Sequence, residues 1–317
     1  MPRQTVRWLE VSTQVTAEAV EAVAEVFQRD AHGGVVIEYP TEPGPDDTWN
    51  DPAVIDPTKP IIVRGYVPKT RDGQKQRRKI EEALWHLNVI WPVPAPTVRE
   101  VHEEDWANAW REHFVAHRVG RHLVIRPSWR EFEADPEDLV ITLDPGMAFG
   151  TGLHPTTRLA LVAIEDHVRA GDRVLDVGTG SGILALAAAK MGASSILACD
   201  IDEVAVDAAQ ANVETNELSA VITVQQGSVN IAAGMDPFDV VIANIIANVI
   251  IDLAPMLADA VRVGGTLVAS GILDIRIDQV RAALEPLGLV IANIHEESDW
   301  RAIVFHKVAL IQPQKLE

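Results

Sequence analysis

A nine-residue stretch rich in glycine, residues 174–182, constrains the fold of this chain more than any other part of it. It reads Val-Leu-Asp-Val-Gly-Thr-Gly-Ser-Gly. Residues 173–177 have the apolar character of a short buried strand, and residues 182–191 that of a helix. A strand that ends in glycines and opens a helix lets a ligand approach bare backbone N–H groups at the helix N-terminus. The stretch therefore predicts a ligand-binding turn at the edge of a sheet.

Acidic residues accompany this turn at two places. Asp176 stands two residues before the first glycine, and its carboxylate is interpreted as a tie for the turn, as a partner of a cationic ligand group, or as both. Asp200 ends an apolar strand over residues 195–199, about twenty residues past the glycines, where an acidic side chain can hold ribose hydroxyls. Asp202 suits the N-cap of the next helix, so Asp200 is predicted to be the ribose ligand.

The spacing of the glycines distinguishes two classes of nucleotide-binding protein. Gly178, Gly180 and Gly182 form the pattern G-x-G-x-G, whereas a dinucleotide-binding turn has the pattern G-x-G-x-x-G. The observed pattern resembles motif I of the S-adenosylmethionine-dependent methyltransferases. It predicts S-adenosyl-L-methionine as the cofactor, with Asp176 and Asp200 joining Gly178 and Gly180 as binding residues.

A third polar residue stands at the end of another apolar strand. Residues 238–243 predict that strand, and Asn244 follows it. The amide offers a donor and an acceptor, so it is interpreted as the group that aligns a substrate amine for an in-line methyl transfer. The alternative is that Asn244 only caps the following helix. A protonated amine has no lone pair and must lose its proton first, but the sequence identifies no base.

Residues 143–157 form the most unusual stretch, a loop with three glycines and two prolines. Its position before the first strand of the cofactor domain predicts a lid over the pocket. His154 is interpreted as structural or substrate-contacting, and no metal site is expected, because no partners stand at ligand spacing. Thr156 or Thr157 is predicted to cap the helix that follows. The lid residues are Phe149, Gly150, Thr151, Gly152 and His154.

From residue 138 onward, strands and helices alternate, which predicts an α/β fold with a parallel sheet and helices on both faces. The last two strands, residues 289–295 and 300–308, are joined by a short polar turn that suits an antiparallel end of the sheet. The predicted strands before them are residues 173–177, 195–199, 221–225, 238–243 and 265–270, with helices over 182–191, 203–216, 247–261 and 275–287.

The first hundred residues predict a separate, smaller α+β unit. Its elements follow the order β-α-β-β-α-β of a ferredoxin-like domain, interrupted by a long loop over residues 40–60. We therefore predict a ferredoxin-like domain over residues 1–103, a structured linker over 104–137 and a catalytic domain over 138–317. A basic run on the second helix is interpreted as a solvated face rather than a binding surface. The run comprises Arg71, Lys75, Arg77, Arg78 and Lys79.

Composition excludes several classes of protein. The formal net charge of −19 argues against general attraction to nucleic-acid phosphates. The single cysteine, Cys199, excludes an internal disulfide and a multi-cysteine metal site, and its apolar strand indicates a core residue. No N-terminal signal pattern and no apolar run of membrane-spanning length occur, so a cytoplasmic protein is expected.

Several motifs together resemble the PrmA family, the methyltransferases of the large-subunit ribosomal protein L11. They include the loop at 143–157, the glycine stretch at 174–182 and Asn-Ile-Ile-Ala at 244–247. Further matches are Glu104-Asp105-Trp106 with Trp110 and Phe114, residues 125–129, residues 270–273 and Asp299-Trp300.

The resemblance implies a Rossmann-like methyltransferase domain and a ferredoxin-like domain that recognises the ribosomal protein. It also implies trimethylation of lysine ε-amines and, in some members, of the N-terminal α-amine. By position, Thr157, Gly178, Asp200 and Asn244 match the cofactor-binding residues of the family. A monomer that binds L11 without direct nucleic-acid contact is expected.

Three alternatives stay open at this point. The chain could methylate another protein lysine or amine, since the same cofactor motifs would serve. It could be a nicotinamide-dependent oxidoreductase, although the glycine spacing and Asn244 argue against that class. It could also be a ribosome-binding or assembly protein that has lost catalysis, against which the intact Asp176, Gly180 and Asp200 argue.

Overall fold

The computed structural model describes residues 8–16, 19–38, 41–42, 54–55, 60–89, 91–101, 116–143, 152 and 154–309. The chain divides into two compact units, Met1–Phe114 and Val115–Glu317. The linker predicted over residues 104–137 crosses this division. Its residues 104–115 lie outside the described residues, and residues 116–137 belong to the second unit.

The first unit has the β-α-β-β-α-β order that the sequence predicts, with four main strands in one antiparallel sheet of order β2-β5-β1-β6. Within the predicted loop at 40–60, two-residue strands β3 and β4 pair as a small ribbon, and the remaining residues there are not described, apart from Pro60. In chain order the elements are β1 Trp8–Val15, α1 Val20–Asp30, β2 His32–Glu38, β3 Thr41–Glu42, β4 Val54–Ile55, β5 Ile61–Pro68, α2 Arg71–Leu87 and β6 Thr97–Val101.

Both helices contribute to the core of the first unit. Phe27 of α1 and Ile80 of α2 are fully buried against strand residues such as Val63. The basic run on α2 lies outside this core. Four of its five residues are exposed, and Lys75 pairs with Asp72 at 2.8 Å, as expected for a solvated helix face.

The second unit contains two sheets and five helices within its described residues. Strands β7 to β9 form a small sheet, and β10 to β16 form the main one. In chain order the elements are β7 His117–Val119, β8 Leu123–Arg126, β9 Leu139–Thr142, α3 Pro155–His167, β10 Arg173–Val177, α4 Ile183–Lys190, β11 Ser195–Asp200, α5 Glu203–Thr215, β12 Ile222–Gln226, β13 Phe238–Asn244, α6 Ala247–Ala260, β14 Val261–Leu273, α7 Ile277–Leu284, β15 Leu289–Glu297 and β16 Trp300–Lys307.

The main sheet has the order β12-β11-β10-β13-β14-β16-β15. Neighbouring strands from β12 to β14 are parallel, whereas β16 is antiparallel to both β14 and β15. This is the predicted α/β sheet with an antiparallel end. The strand order reverses at β10, because β11 and β12 lie on one side of it and β13 and β14 on the other. Ligands bind at such a switch point in α/β sheets.

Two predicted elements of the second unit differ most from the structure in their bounds. Strand β14 begins at Val261, before the predicted start at Gly265. Strand β14 continues past the predicted end at Ser270, because Gly271 adopts a φ of +82° in a bulge and pairing resumes at Ile272 with Arg301. The helix predicted over residues 275–287 is shorter, because 3-10 turns at Asp274–Arg276 and Glu285–Leu287 flank α7.

Alternate residues of the central strands enter two separate apolar layers. Val174 packs with α3 and α4 on one face of the sheet, and Leu175 packs with α6 and α7 on the other. Leu123, Ile125 and Ile141 of the small sheet belong to the first layer. The part of the predicted linker in β7 and β8 is therefore core of the second unit, which these short strands did not reveal in the sequence.

Candidate cofactor site

The polar residues predicted for the site lie at one edge of the main sheet. In the strand register, Val177 of β10 is level with Cys199 of β11 and with Ala243 of β13. The residues that follow these three positions are Gly178, Asp200 and Asn244. Because the carboxyl ends of parallel strands meet at one edge, the fold brings the three predicted motifs together.

The glycine turn requires its glycines. Gly178, Gly180 and Gly182 have φ values of +73°, +56° and +84°, a backbone region that side chains disfavour. The N–H groups of Gly178 and Thr179 both donate to the carbonyl oxygen of Cys199 at 2.9 Å. A Cβ atom on Gly178 would stand 2.4 Å from Cγ2 of Ile245. Ile245 is a site neighbour that the glycine pattern gave no reason to expect.

Asp176 is fully buried beneath the turn. Its Oδ2 accepts a hydrogen bond from the Thr179 hydroxyl at 2.6 Å, so the carboxylate ties down the turn as predicted. Its Oδ1 has no hydrogen-bond partner within the part of the chain that the structure describes. Burial raises the pKa of Asp176 to about 7, and the Thr179 hydrogen bond opposes that rise. A cationic group near Oδ1 would stabilise the ionised carboxylate.

Asp200 links the turn to the next helix. Its Oδ2 accepts from the Gly180 N–H at 2.9 Å, and its Oδ1 accepts from the Asp202 N–H at 3.0 Å. Asp202 in turn caps α5 by accepting from the Val204 N–H at 3.0 Å, which confirms the predicted division of roles for Asp202. A carboxylate has about four acceptor positions, so Asp200 retains capacity for hydroxyl donors. Its role as the ribose ligand stays a prediction.

We expect Asp200→Ala to weaken cofactor binding by about 10- to 150-fold, the range that corresponds to losing a charged hydrogen bond of roughly 1.5–3 kcal/mol. Calorimetric titration with S-adenosylhomocysteine measures this loss. Asp207→Ala, on the exposed face of α5, is the matched control and should bind normally. Equal affinities for Asp200→Ala and the wild type would remove the ribose assignment.

Asn244 meets the start of α3. Its Nδ2 donates to Oγ1 of Thr157, a fully buried residue, at 3.4 Å. The N-cap of α6 is Ile246, so the alternative that Asn244 caps this helix is wrong. Within the described residues, the Asn244 Oδ1 makes no hydrogen bond. The amide therefore has one end anchored to Thr157 and an acceptor oxygen available to a donor.

His154, rather than Thr156 or Thr157, caps α3. Its Nδ1 accepts from the Thr156 N–H at 3.3 Å, and both threonines lie inside the first helical turn. The predicted threonine cap was wrong because Pro155 starts the helix one residue earlier, a position that proline favours. The His154 ring also packs edge-on against Trp300, with centroids 5.2 Å apart. These contacts support the structural interpretation of His154.

Burial lowers the pKa of His154 to about 4, and the Arg158 guanidinium adds to this effect while Glu297 opposes it. Between this value and the ordinary 6.5, the unfolded chain binds more protons than the folded protein. The free energy of unfolding should therefore fall as the pH decreases from 6.5 toward 4, by up to about 1.4 kcal/mol per pH unit from this group.

Urea denaturation of the wild type and His154→Asn across this range tests the prediction, because an asparagine cap does not titrate. Asp176 has a raised pKa and contributes the opposite slope, but it does so in both proteins and cancels. Identical pH profiles for the two proteins would contradict the neutral histidine cap.

The lid is described only in part. Phe149, Gly150 and Thr151 lie outside the described residues. Gly152 is buried with a φ of +84°, and a Cβ atom there would stand 2.6 Å from Cδ1 of Ile125. This end of the predicted lid is thus packed on the small sheet.

The cysteine, metal-site and membrane expectations can each be compared with the described residues. Burial raises the pKa of the Cys199 thiol to about 12, which agrees with its interpretation as a core residue. No group of three or more His, Cys, Asp or Glu side chains that could hold a metal ion occurs among the described residues. Among the helices of the described ranges, none is long and apolar enough to cross a membrane.

Comparisons with known proteins agree with the motifs. The family model described as ribosomal protein L11 methyltransferase (PrmA) matches residues 7–308. A protein of Chloroflexus aurantiacus named ribosomal protein L11 methyltransferase is 43% identical, over 96% of this chain and 99% of the relative. A protein of the same name from Pelotomaculum thermopropionicum is also 43% identical, over 93% and 97% of the two chains.

Among solved structures, the ribosomal protein L11 methylase of Lactobacillus delbrueckii subsp. bulgaricus is similar to this chain. It has a TM-score of 0.57 and 34% sequence identity, and the match covers 62% of this chain and all of the other.

Proposed function

The chain belongs to the ribosomal protein L11 methyltransferase (PrmA) family, and we propose from this premise that it transfers methyl groups from S-adenosylmethionine to lysine ε-amines of ribosomal protein L11. The family match over residues 7–308 carries this proposal. The family implies S-adenosylmethionine as the cofactor, and the geometry at the sheet edge supports Thr157, Asp176, Gly178, Gly180, Asp200 and Asn244 as the residues that hold it.

Features of the site fit this cofactor. The glycine turn presents backbone at the start of α4, and a side chain on Gly178 would collide with Ile245. The buried Asp176 Oδ1 has no hydrogen-bond partner among the described residues and suits the cationic methionine end of the cofactor. Asp200 stands at the strand end, where an acceptor for ribose hydroxyls is expected. When bound, the cofactor supplies an electrophilic methyl group.

Asn244 is the residue that we assign to catalysis. Its Oδ1 makes no hydrogen bond with the described residues and can accept one from the substrate amine, while Thr157 holds the other end of the amide. This hydrogen bond holds the lone pair of the substrate nitrogen in one direction. Such alignment supplies most of the acceleration in an in-line displacement. The amine must arrive without its extra proton. His154 is occupied as a helix cap, so we do not assign it as the base.

The lysine assignment has a direct test. L11 with its modified lysines replaced by arginine should gain fewer methyl groups than wild-type L11, and peptide mass spectrometry should place the remaining groups. If the arginine-substituted L11 gained as many methyl groups as wild-type L11, the methylated group would be the N-terminal α-amine or another acceptor. The first and third alternatives of the sequence analysis, another amine substrate and a non-catalytic assembly role, differ in whether the cofactor is consumed.

We further propose that the first unit recognises the protein substrate, because no catalytic constellation occurs in its described residues. A fragment of residues 115–317 should keep cofactor affinity and lose L11 methylation. The fragment starts at 115 rather than at the predicted boundary near 138, since β7 and β8 supply core residues. Circular dichroism verifies its folding, and calorimetry with methylation assays compares it with the full chain. Undiminished L11 methylation by the fragment would refute the recognition role.

A further inference from the structure

Three side-chain contacts fasten the first turn of α3 to the antiparallel end of the main sheet. Ser270 of β14 donates its hydroxyl to the carbonyl oxygen of Thr156 at 2.8 Å, inside the protein. Trp300 of β16 packs on His154. Arg158 forms an ion pair with Glu297 of β15. The turn that these contacts hold carries Thr157, the residue that anchors the Asn244 amide.

Arg158 and Glu297 form a clamp, in which two nitrogen atoms of the guanidinium contact the two oxygen atoms of one carboxylate. Arg158 Nε donates to Glu297 Oε2 at 3.1 Å, and Nη2 donates to Oε1 of the same carboxylate. This two-pronged contact restrains both position and rotation, which a single contact does not. The backbone N–H groups of Thr157 and Arg158 both donate to the His154 carbonyl oxygen, at 3.0 and 3.1 Å. Arg158 therefore extends from the same turn as Thr157.

The ion pair between Arg158 and Glu297 is expected to contribute little to the stability of the fold. Both side chains are about one-third exposed, and exposed pairs contribute little to the free energy of unfolding. The helix has other anchors, since Leu161, Ile164 and their neighbours are buried in the core. A small displacement of Thr157, however, would move the amide that it holds, and transfer reactions are sensitive to misplacement of about 1 Å.

We propose that Arg158 and Glu297 are positioning residues, which hold Thr157 against Asn244 and so couple the β15–β16 hairpin to the cofactor edge. The inference rests on the proposed function for its consequence in catalysis, but the clamp itself is a property of the protein alone. Neither residue needs to touch the cofactor or the substrate.

Hydrogen exchange of the full chain without cofactor tests the clamp. Arg158→Ala and Glu297→Ala should each speed exchange at the Thr156, Thr157 and Arg158 amides by about tenfold, with little change in the later turns of α3. The control is the exposed pair of Arg281 on α7 and Glu285 in the 3-10 turn that follows it, at 3.1 Å, whose double alanine variant should leave α3 unchanged. Unaltered exchange in both single variants would overturn the proposal.

Kinetics then test the consequence. Each single variant should lower kcat and the affinity for S-adenosylhomocysteine by about tenfold, with an unchanged KM for L11. The Arg158→Ala/Glu297→Ala double variant should be no worse than either single one, and the reversed pair Arg158→Glu/Glu297→Arg should recover most of the loss. Additive losses or no recovery would overturn the positioning role. Failure of the wild type to methylate L11 would instead refute the proposed function and leave the exchange result standing.

Discussion

Asn244→Ala should lower turnover by about 100-fold and reduce the affinity for S-adenosylhomocysteine by a much smaller factor, about threefold. A fall in turnover of this size is expected when one reacting group is no longer aligned in a site of fixed geometry. The structure explains why turnover should fall more than affinity. The amide lies at the end of β13 with its Nδ2 on Thr157, and no described residue hydrogen-bonds to its Oδ1. Single-turnover kinetics and calorimetry measure the two quantities separately.

The matched control for this change is Asn293→Ala. That amide lies on the exposed part of β15, where it contacts His295, and its removal should alter neither quantity. If Asn244→Ala reduced turnover and affinity by the same factor, the residue would be a cofactor ligand and nothing more.

Gly178→Ala should abolish measurable cofactor binding and lower the melting temperature. The left-handed backbone at this position costs an alanine about 1–2 kcal/mol, and the new Cβ atom would also stand 2.4 Å from Ile245. Both effects move the turn whose N–H groups the Cys199 carbonyl holds. Thermal denaturation and calorimetry check the two consequences.

Gly171→Ala is the control variant, because it introduces backbone strain without a steric clash. Gly171 has a φ of +91°, but a Cβ atom there would have no atom of a described residue within 4 Å. This variant should lose about the same 1–2 kcal/mol of stability from backbone strain and bind the cofactor normally. Normal binding by Gly178→Ala as well would remove the glycine turn from the site.

The sequence predicts the central strands of this fold better than the contacts between distant parts of the chain. Strand β10 has the predicted bounds, and Asp202 caps α5 as expected, because local apolar runs and short polar spacings determine both. The sheet with its antiparallel end is confirmed, and so is the family that the motifs indicate. The roles of the individual site residues stay predictions.

What the sequence could not give depends on contacts between distant residues. Arg158 and Glu297 are 139 positions apart, so no local spacing could pair them. The packing of Leu123 and Ile125 into the core of the second unit likewise follows from tertiary contacts, which is why strand β8 was predicted as linker. The histidine cap was missed because histidine is an uncommon N-cap, whereas threonine is a favoured one.

The most direct measurement is intact-mass spectrometry of purified L11 after incubation with this protein and S-adenosylmethionine. We expect mass gains in steps of one methyl group in the presence of wild-type protein, and a gain reduced to background with Gly178→Ala. No gain with the wild type, at concentrations where calorimetry shows bound cofactor, would contradict L11 as the substrate. No gain and no cofactor binding would contradict the assignment of this chain as an active methyltransferase.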